Sequence, residues 1–339
     1  MKISMEETLA ALQSAQNLIL TAHVNPDGDA LGSVLGLAHY LLGEGKQVRL
    51  LIDDDIPARY AILPGYEMFQ KPVEGEQYQA DLLVVLDASL DRTGKVHEAV
   101  QAPVLNIDHH PTNDGRADKL YLDGKAAATA EIIFSLLELA KAKFTLPMAS
   151  ALYTGIATDS GFFKFSNTTP YTMRAAARLL EVGVQPSEIS EALEVRPYSH
   201  VKGLADALQN IEVWHNGRAA GVFLSYEQMQ VIEATDSLID MLRIIEGVEV
   251  AVVLKYKEEA QARVSMRSKG VDVSTVAAKF GGGGHVRAAG CGIEKPYEEA
   301  KALLKAAIDE ALNPTDILDE AEAVLRASSA QDPTQPSAV

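Results

Sequence analysis

Apolar residues fall into two kinds of run along this chain. "NLILTAH" (17–23), "QVRLLID" (47–53), "ADLLVVLDAS" (80–89) and "APVLNIDHH" (102–110) are short, nearly continuous apolar stretches that finish in polar residues. Around them apolar positions return at helical spacing, over 5–16, 30–42, 127–141, 147–158 and 170–182. Continuous apolar strands alternating with helices predict an α/β domain, a parallel sheet with helices on both faces. In such sheets ligands bind beyond the carboxyl ends of the strands. That end collects His23, Asp87, Asp108 and His109, and the second strand ends in Asp53, Asp54 and Asp55.

The pattern changes past the middle. Residues 186–210 read as helical with a break at "RPYS" and form the expected linker. "NIEVWHNGRAAGVFLS" then predicts a hairpin about an Asn216-Gly217 turn. "GVEVAVVLKYKEEAQARVSMRS" reads as two strands with a turn at 257–260. "VDVSTVAAKFGGGGHVRAAGCGI" adds a helix, a glycine loop and a strand, and "PYEEAKALLKAAIDEAL" a closing helix. The expected organisation is a first domain over 1–185, the linker, and a smaller α+β domain over 211–312. Residues 313–339 are acidic, polar and Pro-bearing, so disorder is expected there. No internal repeat is visible.

Composition narrows the function. The chain has 339 residues, 47% of them apolar, and a single cysteine, Cys291. One cysteine excludes an internal disulfide framework and any multi-cysteine metal site. No apolar run reaches the roughly 18 residues of a membrane span. The first residues lack a basic-then-apolar signal pattern, so a cytoplasmic protein without a membrane partner is expected. Net charge is −17, of which the last 27 residues carry −4, leaving −13 on the rest. Such a surface repels long nucleic acid, whose binding needs many phosphate contacts. A short anionic substrate is compatible if its site supplies positive charge.

Chemistry concentrates in a few segments. His23, Asp27, Asp29, Asp87, Asp108, His109, His110 and Asp159 are the candidates. Carboxylate with imidazole is the ligand mix for manganese, magnesium or zinc. Five aspartates in one crevice could not all ionise without cations. Two metals about 3.5–4 Å apart would neutralise them, as in many phosphoesterases. Each residue also has a plainer reading. Asp29 could cap a helix, "PDGD" is good turn chemistry, His109 or His110 could be a satisfied buried histidine, and Asp159 could cap "SGFF". Jointly these readings are poor, because four separate segments end in metal-capable groups.

"HVNPDGDALGS", "VVLDAS", "NIDHH" and "GIATDSGFFKFSNTT" follow the order of the four motifs of the DHH phosphoesterase superfamily. "VSMRSKGVDVSTVAAKFGGGGHVRAAG" resembles its associated substrate-binding domain. The resemblance covers about residues 15–310. Within the superfamily the chain is most similar to the two-domain oligoribonucleases, the nano-RNases that also dephosphorylate 3′-phosphoadenosine 5′-phosphate (pAp). Ser160 stands where relatives often have threonine, which keeps the hydroxyl. The resemblance implies two Mn²⁺ ions, with Mg²⁺ or Co²⁺ as substitutes. His23, Asp27 and Asp87 would hold one. Asp29, Asp87, His109 and Asp159 would hold the other, with Asp87 shared. Asp108 would orient a neighbouring imidazole, and His110 would face the scissile phosphate as a donor. Gly28 would let the backbone bend between Asp27 and Asp29. Gly32 and Ser33 would give close packing and a polar contact beneath the site.

"GGGG" at 281–284 lies between two core-like stretches, so a flexible linker is a poor reading. Glycines let backbone N–H groups approach an anion closely. Lys255 to Arg287 hold seven basic and three acidic residues, a positive island on an acidic chain. Arg267 would clamp a phosphate with its bidentate fork, helped by Ser265, Gly282, Gly283, Gly284 and His285. One domain would cut and the other would hold the substrate across a cleft. The implied activity is hydrolysis of oligoribonucleotides of two to five residues to mononucleotides, with pAp to AMP beside it. The partners would then be short oligoribonucleotides or nucleotide phosphates, and a homodimer is left open. The competing expectations are a hydrolase of linear or cyclic dinucleotides, a RecJ-like single-strand exonuclease, and a non-catalytic nucleotide-binding regulator.

Overall fold

The computed structural model describes residues 1–230, 232, 236–258 and 261–313. The tail from 314 onward and residues 259–260 of the turn expected at 257–260 lie outside the described residues. The chain divides into two compact units, Met1–Val195 and the part from Arg196 on. The division falls inside the segment read as a linker, between two helices.

The first unit opens with α1 (Met5–Ser14), capped by a Ser4–Glu7 capping box. Its strands are β1 (Asn17–Thr21), β2 (Gln47–Leu51), β3 (Phe69–Gln70), β4 (Tyr78–Gln79), β5 (Leu82–Leu86), β6 (Val100–Gln101), β7 (Val104–Asp108) and β8 (Lys119–Leu122). Six of them form a sheet in the order β3-β2-β1-β5-β7-β8, parallel throughout. β4 and β6 pair separately. The helices are α2 (Gly28–Gly43), α3 (Val96–Ala99), α4 (Thr129–Leu139), α5 (Leu146–Asp159), α6 (Pro170–Glu181) and α7 (Pro186–Glu194). One sheet face is buried beneath α2, α4 and α5, in a core that includes Leu20, Leu35, Val84, Ile107, Ile133 and Leu152. The other face has a smaller core, where Ile19, Leu83 and Val85 meet Val96 of α3 and Val100 of β6. Burial on both faces explains why β1, β5 and β7 read as unbroken apolar runs. The helices are unevenly spread. β1 and β2 are joined by α2, whereas short 3₁₀ turns at Ala58–Tyr60 and Tyr66–Met68 lie between β2 and β3.

α2 and α5 pack at very short range. A Cβ on Gly32 would lie 2.4 Å from the Ala151 carbonyl oxygen, and one on Gly36 would lie 2.5 Å from Leu152. This contact brings the N-terminus of α2 against the C-terminal half of α5.

The second unit contains α8 (Tyr198–Leu208), β9 (Glu212–Trp214), β10 (Ala219–Leu224), α9 (Tyr226–Met229), α10 (Asp236–Arg243), β11 (Val250–Glu258), β12 (Gln261–Ser268), α11 (Val273–Ala278), β13 (Gly283–His285), β14 (Ala288–Ile293) and α12 (Tyr297–Leu312). Its sheet runs β13-β14-β12-β11-β10-β9, mixed because β10 and β11 are parallel. α11 and α12 cover one face over Val252, Val264, Met266 and Ala289. α8 and α10 cover part of the other, over Ala220, Val222, Ala251 and Val253. The run expected as a glycine loop is partly a strand, since Gly283–His285 pairs with β14 at the sheet edge. Among the described residues, no helix is long and apolar enough to cross a membrane.

Candidate metal centre

The strand ends of the first sheet build one cluster. β1 runs out at Thr21 and delivers His23, whose Nδ1 lies 2.8 Å from the Val24 carbonyl oxygen. That leaves Nε2 for the carboxylates. β5 ends one residue before Asp87, which takes a left-handed φ of 60°. A non-glycine residue held there stores strain, which the surroundings must offset. β7 ends in Asp108, with His109 and His110 following. Asp159 is the last residue of α5, and Asp29 lies in the first turn of α2.

The distances show three overlapping groups of donors, each within 4.8 Å: His23, Asp27 and Asp87; Asp29, His109 and Asp159; Asp87, His109 and His110. His23 Nε2 stands 3.6 Å from Asp87 Oδ2 and 3.8 Å from Asp27 Oδ2. His109 Nε2 stands 3.5 Å from Asp87 Oδ1, 3.5 Å from Asp159 Oδ2 and 3.9 Å from Asp29 Oδ2. These are too long for hydrogen bonds. They stand at or a few tenths of an ångström beyond the about 3.0–3.5 Å that separates two ligands each held about 2.1 Å from one cation. Asp87 turns one oxygen to each group. The donor set, imidazole nitrogen with carboxylate oxygen, fits a borderline divalent cation.

Electrostatics point the same way. Burial, then the Asp29 charge, pushes Asp159 up to about 7. The same two causes hold Asp87 well above the ordinary carboxyl range, and burial raises Asp29. Burial would lower His23, but the Asp27 and Asp87 carboxylates overcome it and raise the imidazole to about 10. His109 is raised against its own burial by Asp29 and Asp159. Protons and cations therefore compete for these atoms.

Asp27, not Asp29, caps α2, accepting from the Asp29 and Ala30 N–H groups at 3.0 Å. Asp29 caps a different helix. It accepts from Thr129 N at 2.6 Å and Ala130 N at 2.8 Å, at the start of α4, whose own N-cap residue Ala128 offers no side-chain bond. The positive end of that helix dipole so holds a buried carboxylate in place. Ser33 Oγ adds a 3.2 Å bond to the same Asp29. Gly28 does not act through a bend. It is the first residue of α2, and a Cβ there would meet Thr158 Oγ1 at 2.3 Å, so glycine is needed for close approach beside Asp159.

A second layer of polar residues surrounds the donors; the sequence named Asp108 among them, but not Thr129, Asn106, Asn113 or Asn167. Thr129 Oγ1 donates to Asp87 Oδ1 at 2.9 Å. Asp108 Oδ1 lies 2.8 Å from His110 Nδ1 and accepts from the His110 N–H at 3.1 Å. Asn113 donates to Asp108 Oδ2 at 2.6 Å and to Asn106 Oδ1 at 2.7 Å. Asn106 in turn donates to the Val85 and Ala88 carbonyls flanking Asp87. Asn167 donates to the carbonyls of Ala127 and Asp159, at 3.0 and 3.1 Å. Asn106 lies inside "NIDHH" and Asn167 inside "FSNTT", which is the nearest the sequence came to marking them.

The residues expected to hold substrate belong to the second unit. Arg267 and Ser265 stand on β12, on the face away from Val264 and Met266. Across β14, Arg267 faces Ala288, which faces His285 on β13, and Ser265 faces Gly290, which faces Gly283. Arg267, Ser265 and His285 therefore share a face. The glycines differ. Gly282 and Gly284 are required by the fold, since a Cβ on either would lie within 2.4 Å of a carbonyl oxygen. Gly283 meets nothing within 4 Å and leaves the strand edge bare.

A family model described as the DHH family, N-terminal domain, matches residues 17–156, and a DHHA1 domain model matches 227–313. A bifunctional oligoribonuclease and PAP phosphatase NrnA from Thermus thermophilus is 37% identical over 286 residues, 84% of this chain and 86% of that one. The protein of the same name from Bacillus subtilis is 31% identical over 88% of this chain and 96% of its own. An exopolyphosphatase-related protein from Bacteroides fragilis has the same fold, with a TM-score of 0.81 at 22% identity, covering 90% of this chain and 95% of that one. Similarity over nearly the whole of both NrnA chains, with the motif residues gathered at one end of the sheet, leads to a single assignment: the chain belongs to the DHH family and carries a DHHA1 domain.

Proposed function

We propose that this protein is a metal-dependent phosphoesterase that hydrolyses oligoribonucleotides of two to five residues to mononucleotides and also converts pAp to AMP. The observation that carries the reading is the 37% identity, over 84% of the chain, to a relative named for both activities. The complete donor set at the strand ends supports hydrolysis over a non-catalytic binding role.

His23, Asp27 and Asp87 would hold one divalent ion, and Asp29, Asp87, His109 and Asp159 the other, with Mn²⁺ the preferred metal. When bound, such a pair supplies a hydroxide nucleophile near neutral pH and neutralises charge on the phosphate. The chain's own groups set the stage. Asp87 faces both donor groups with different oxygens. Asp108 fixes the His110 ring through Nδ1, leaving Nε2 to donate a proton to the phosphate or the leaving oxygen. Arg267, Ser265, His285 and the Gly282–Gly284 backbone would bind the rest of the substrate. A reading as a dinucleotide hydrolase has one specific support, a cyclic-di-AMP phosphodiesterase GdpP of Bacillus subtilis that is 27% identical over 87% of this chain and 48% of that one.

Initial rates with Mn²⁺ on a dinucleotide, a 5-mer, a 24-mer, pAp and linear di-adenylate test the proposal. Release of mononucleotides from the short RNAs and of AMP from pAp, abolished by exhaustive chelation and restored best by Mn²⁺, is the expected result. Turnover of di-adenylate alone would favour the dinucleotide reading, and full activity after chelation would exclude metal-dependent chemistry.

A further inference from the structure

The sheet of the second unit is covered unevenly. On the face opposite α11 and α12, Ala251 and Val253 of β11 are buried in the apolar cluster with α8 and α10. Lys255, two residues on, lies outside that cluster and is half-buried. It is paired with Arg263 of β12, which is exposed, and Arg263 is paired on its other side with Gly292 of β14. A groove of ≈ 530 Å³ has Lys255, Gln261, Arg263, Ser265, Gly290 and Gly292 in its lining, with no acid among the described residues that line it. This is local positive charge on a chain of net −17.

The floor of the groove is bare for no reason internal to the fold. Gly292 has no left-handed φ, and a Cβ there would find its nearest neighbour at 3.9 Å, an ordinary contact. A side chain would fit, and its absence leaves backbone open to a ligand. Arg263, Ser265 and Arg267 occupy alternate positions of one strand, so they share a face. Strand rise places them about 6.8 Å apart in succession, a spacing similar to that of successive phosphates along an extended single strand.

We propose that Arg263, with Lys255 beside it and Gly292 as floor, forms an outer phosphate subsite two phosphodiester steps from Arg267. The inference rests on the proposed action on short RNA and adds what sets its length preference. A dinucleotide or pAp is too short to reach from Arg267 to Arg263. A 5-mer spans the distance and gains the contact.

The test compares Arg263→Gln, Arg263→Lys and Gly292→Asp with the parent protein on a 5-mer and a dinucleotide. The ratio of kcat/KM for the 5-mer over the dinucleotide should fall about ten-fold in Arg263→Gln and recover in Arg263→Lys, as loss and return of one charge-assisted phosphate contact would give. Gly292→Asp places a like charge on the floor and should lower the same ratio. On the 5-mer, the slope of log kcat/KM against log salt should flatten by about 0.7 in Arg263→Gln, one phosphate's share for a single strand. An unchanged ratio and slope in folded Arg263→Gln and Gly292→Asp overturns the subsite. If the parent protein cleaves no RNA, the functional proposal fails separately, and the subsite is read from equilibrium binding of fluorescent 5-mer and dinucleotide. There Arg263→Gln must still reduce the 5-mer preference, and equal preference in both proteins overturns it.

Discussion

At the scale of single residues, the site separates groups that sit among the cation-capable donors from groups that aim them. Asp87 Oδ2 faces His23 and Asp87 Oδ1 faces His109, so one substitution disturbs both donor groups. The Asp108 carboxylate instead bonds His110 and Asn113. Asp108→Ala should therefore lower activity about 10–100-fold, the usual effect of losing an orienting partner. Asp87→Ala should lower it further and weaken Mn²⁺ binding, read by calorimetry, with circular dichroism unchanged. A worse defect in the Asp108 variant would contradict this division of labour. The raised pKa values give a second expectation. The ordinary carboxyl value is 3.8 and Asp159 stands at about 7, so its stabilising contribution is full below pH 3.8 and is lost as pH rises through 7; Asp29 and Asp87, also raised, act in the same direction. His23, raised from 6.5 to about 10, contributes fully below 6.5 and loses that contribution as pH climbs toward 10. Both act in the same direction, so the metal-free cluster becomes less stable from pH 5 to 9. Bound cations replace the departing protons, and the gain in Tm on adding Mn²⁺ should be larger at pH 8 than at pH 5.5. A larger gain at pH 5.5 would be incompatible with these protonation states.

At the scale of elements, the donors depend on how α2, α4 and α5 meet. Gly32 lets α2 lie against the α5 backbone, with Ala151 O and Gly155 N both inside 3.0 Å of where a Cβ would sit. Gly32→Ala must push the helices apart, at a cost of about 1–3 kcal/mol for overpacking. The separation moves Asp29 on α2 away from Asp159 on α5. We expect a lower Tm and weaker Mn²⁺ affinity together, measured by scanning fluorimetry and calorimetry, and normal affinity in a destabilised Gly32→Ala protein would uncouple packing from the site. The elements differ in how far the sequence revealed them. β1, β5 and β7 were legible because burial on both faces leaves them continuously apolar, and the chemistry-bearing residues follow directly at their ends. β3, β4 and β6 are two residues long, too short to carry a period, and their pairing is decided by neighbours. The partnership of Asp29 with the N-terminus of α4 spans 100 residues, and no local pattern encodes it. Asn113 in "HHPTND" looks like ordinary turn chemistry, yet its amide joins Asn106 to Asp108. The spacing of "GGGGH" suggested a loop because glycine weakens any strand signal, and it took pairing with β14 to show Gly283–His285 as an edge strand.

At the scale of the whole molecule, charge decides which substrates are admitted. The chain carries −17, while Arg267, Arg263 and Lys255 gather on one open part of the second sheet. A short RNA presents few phosphates, and a few cations suffice to neutralise them. A long strand must lay further phosphates against an acidic surface. Binding long single strands usually relies on a basic groove with aromatic stacking platforms, and the aromatic content here is only 6%. Added phosphates then repel rather than attract. kcat/KM should consequently fall steeply between about 5-mers and 24-mers, an estimate that rests on the net acidic chain and its few aromatic residues. Raising the salt should narrow the gap, because screening weakens repulsion at the distances involved, about 10 Å at 0.1 M ionic strength. Arg267→Ala and His285→Ala should weaken short-substrate binding while Mn²⁺ binding persists, since both residues lie in the second unit and the donor cluster lies in the first. The decisive measurement is a competition in one tube between differently labelled 3-mer and 24-mer, followed at low and moderate salt. Faster consumption of the 3-mer, with the difference shrinking as salt rises, is the expected outcome. Equal consumption at both salts would show that surface charge does not select length, and would turn the reading toward an exonuclease for long single strands.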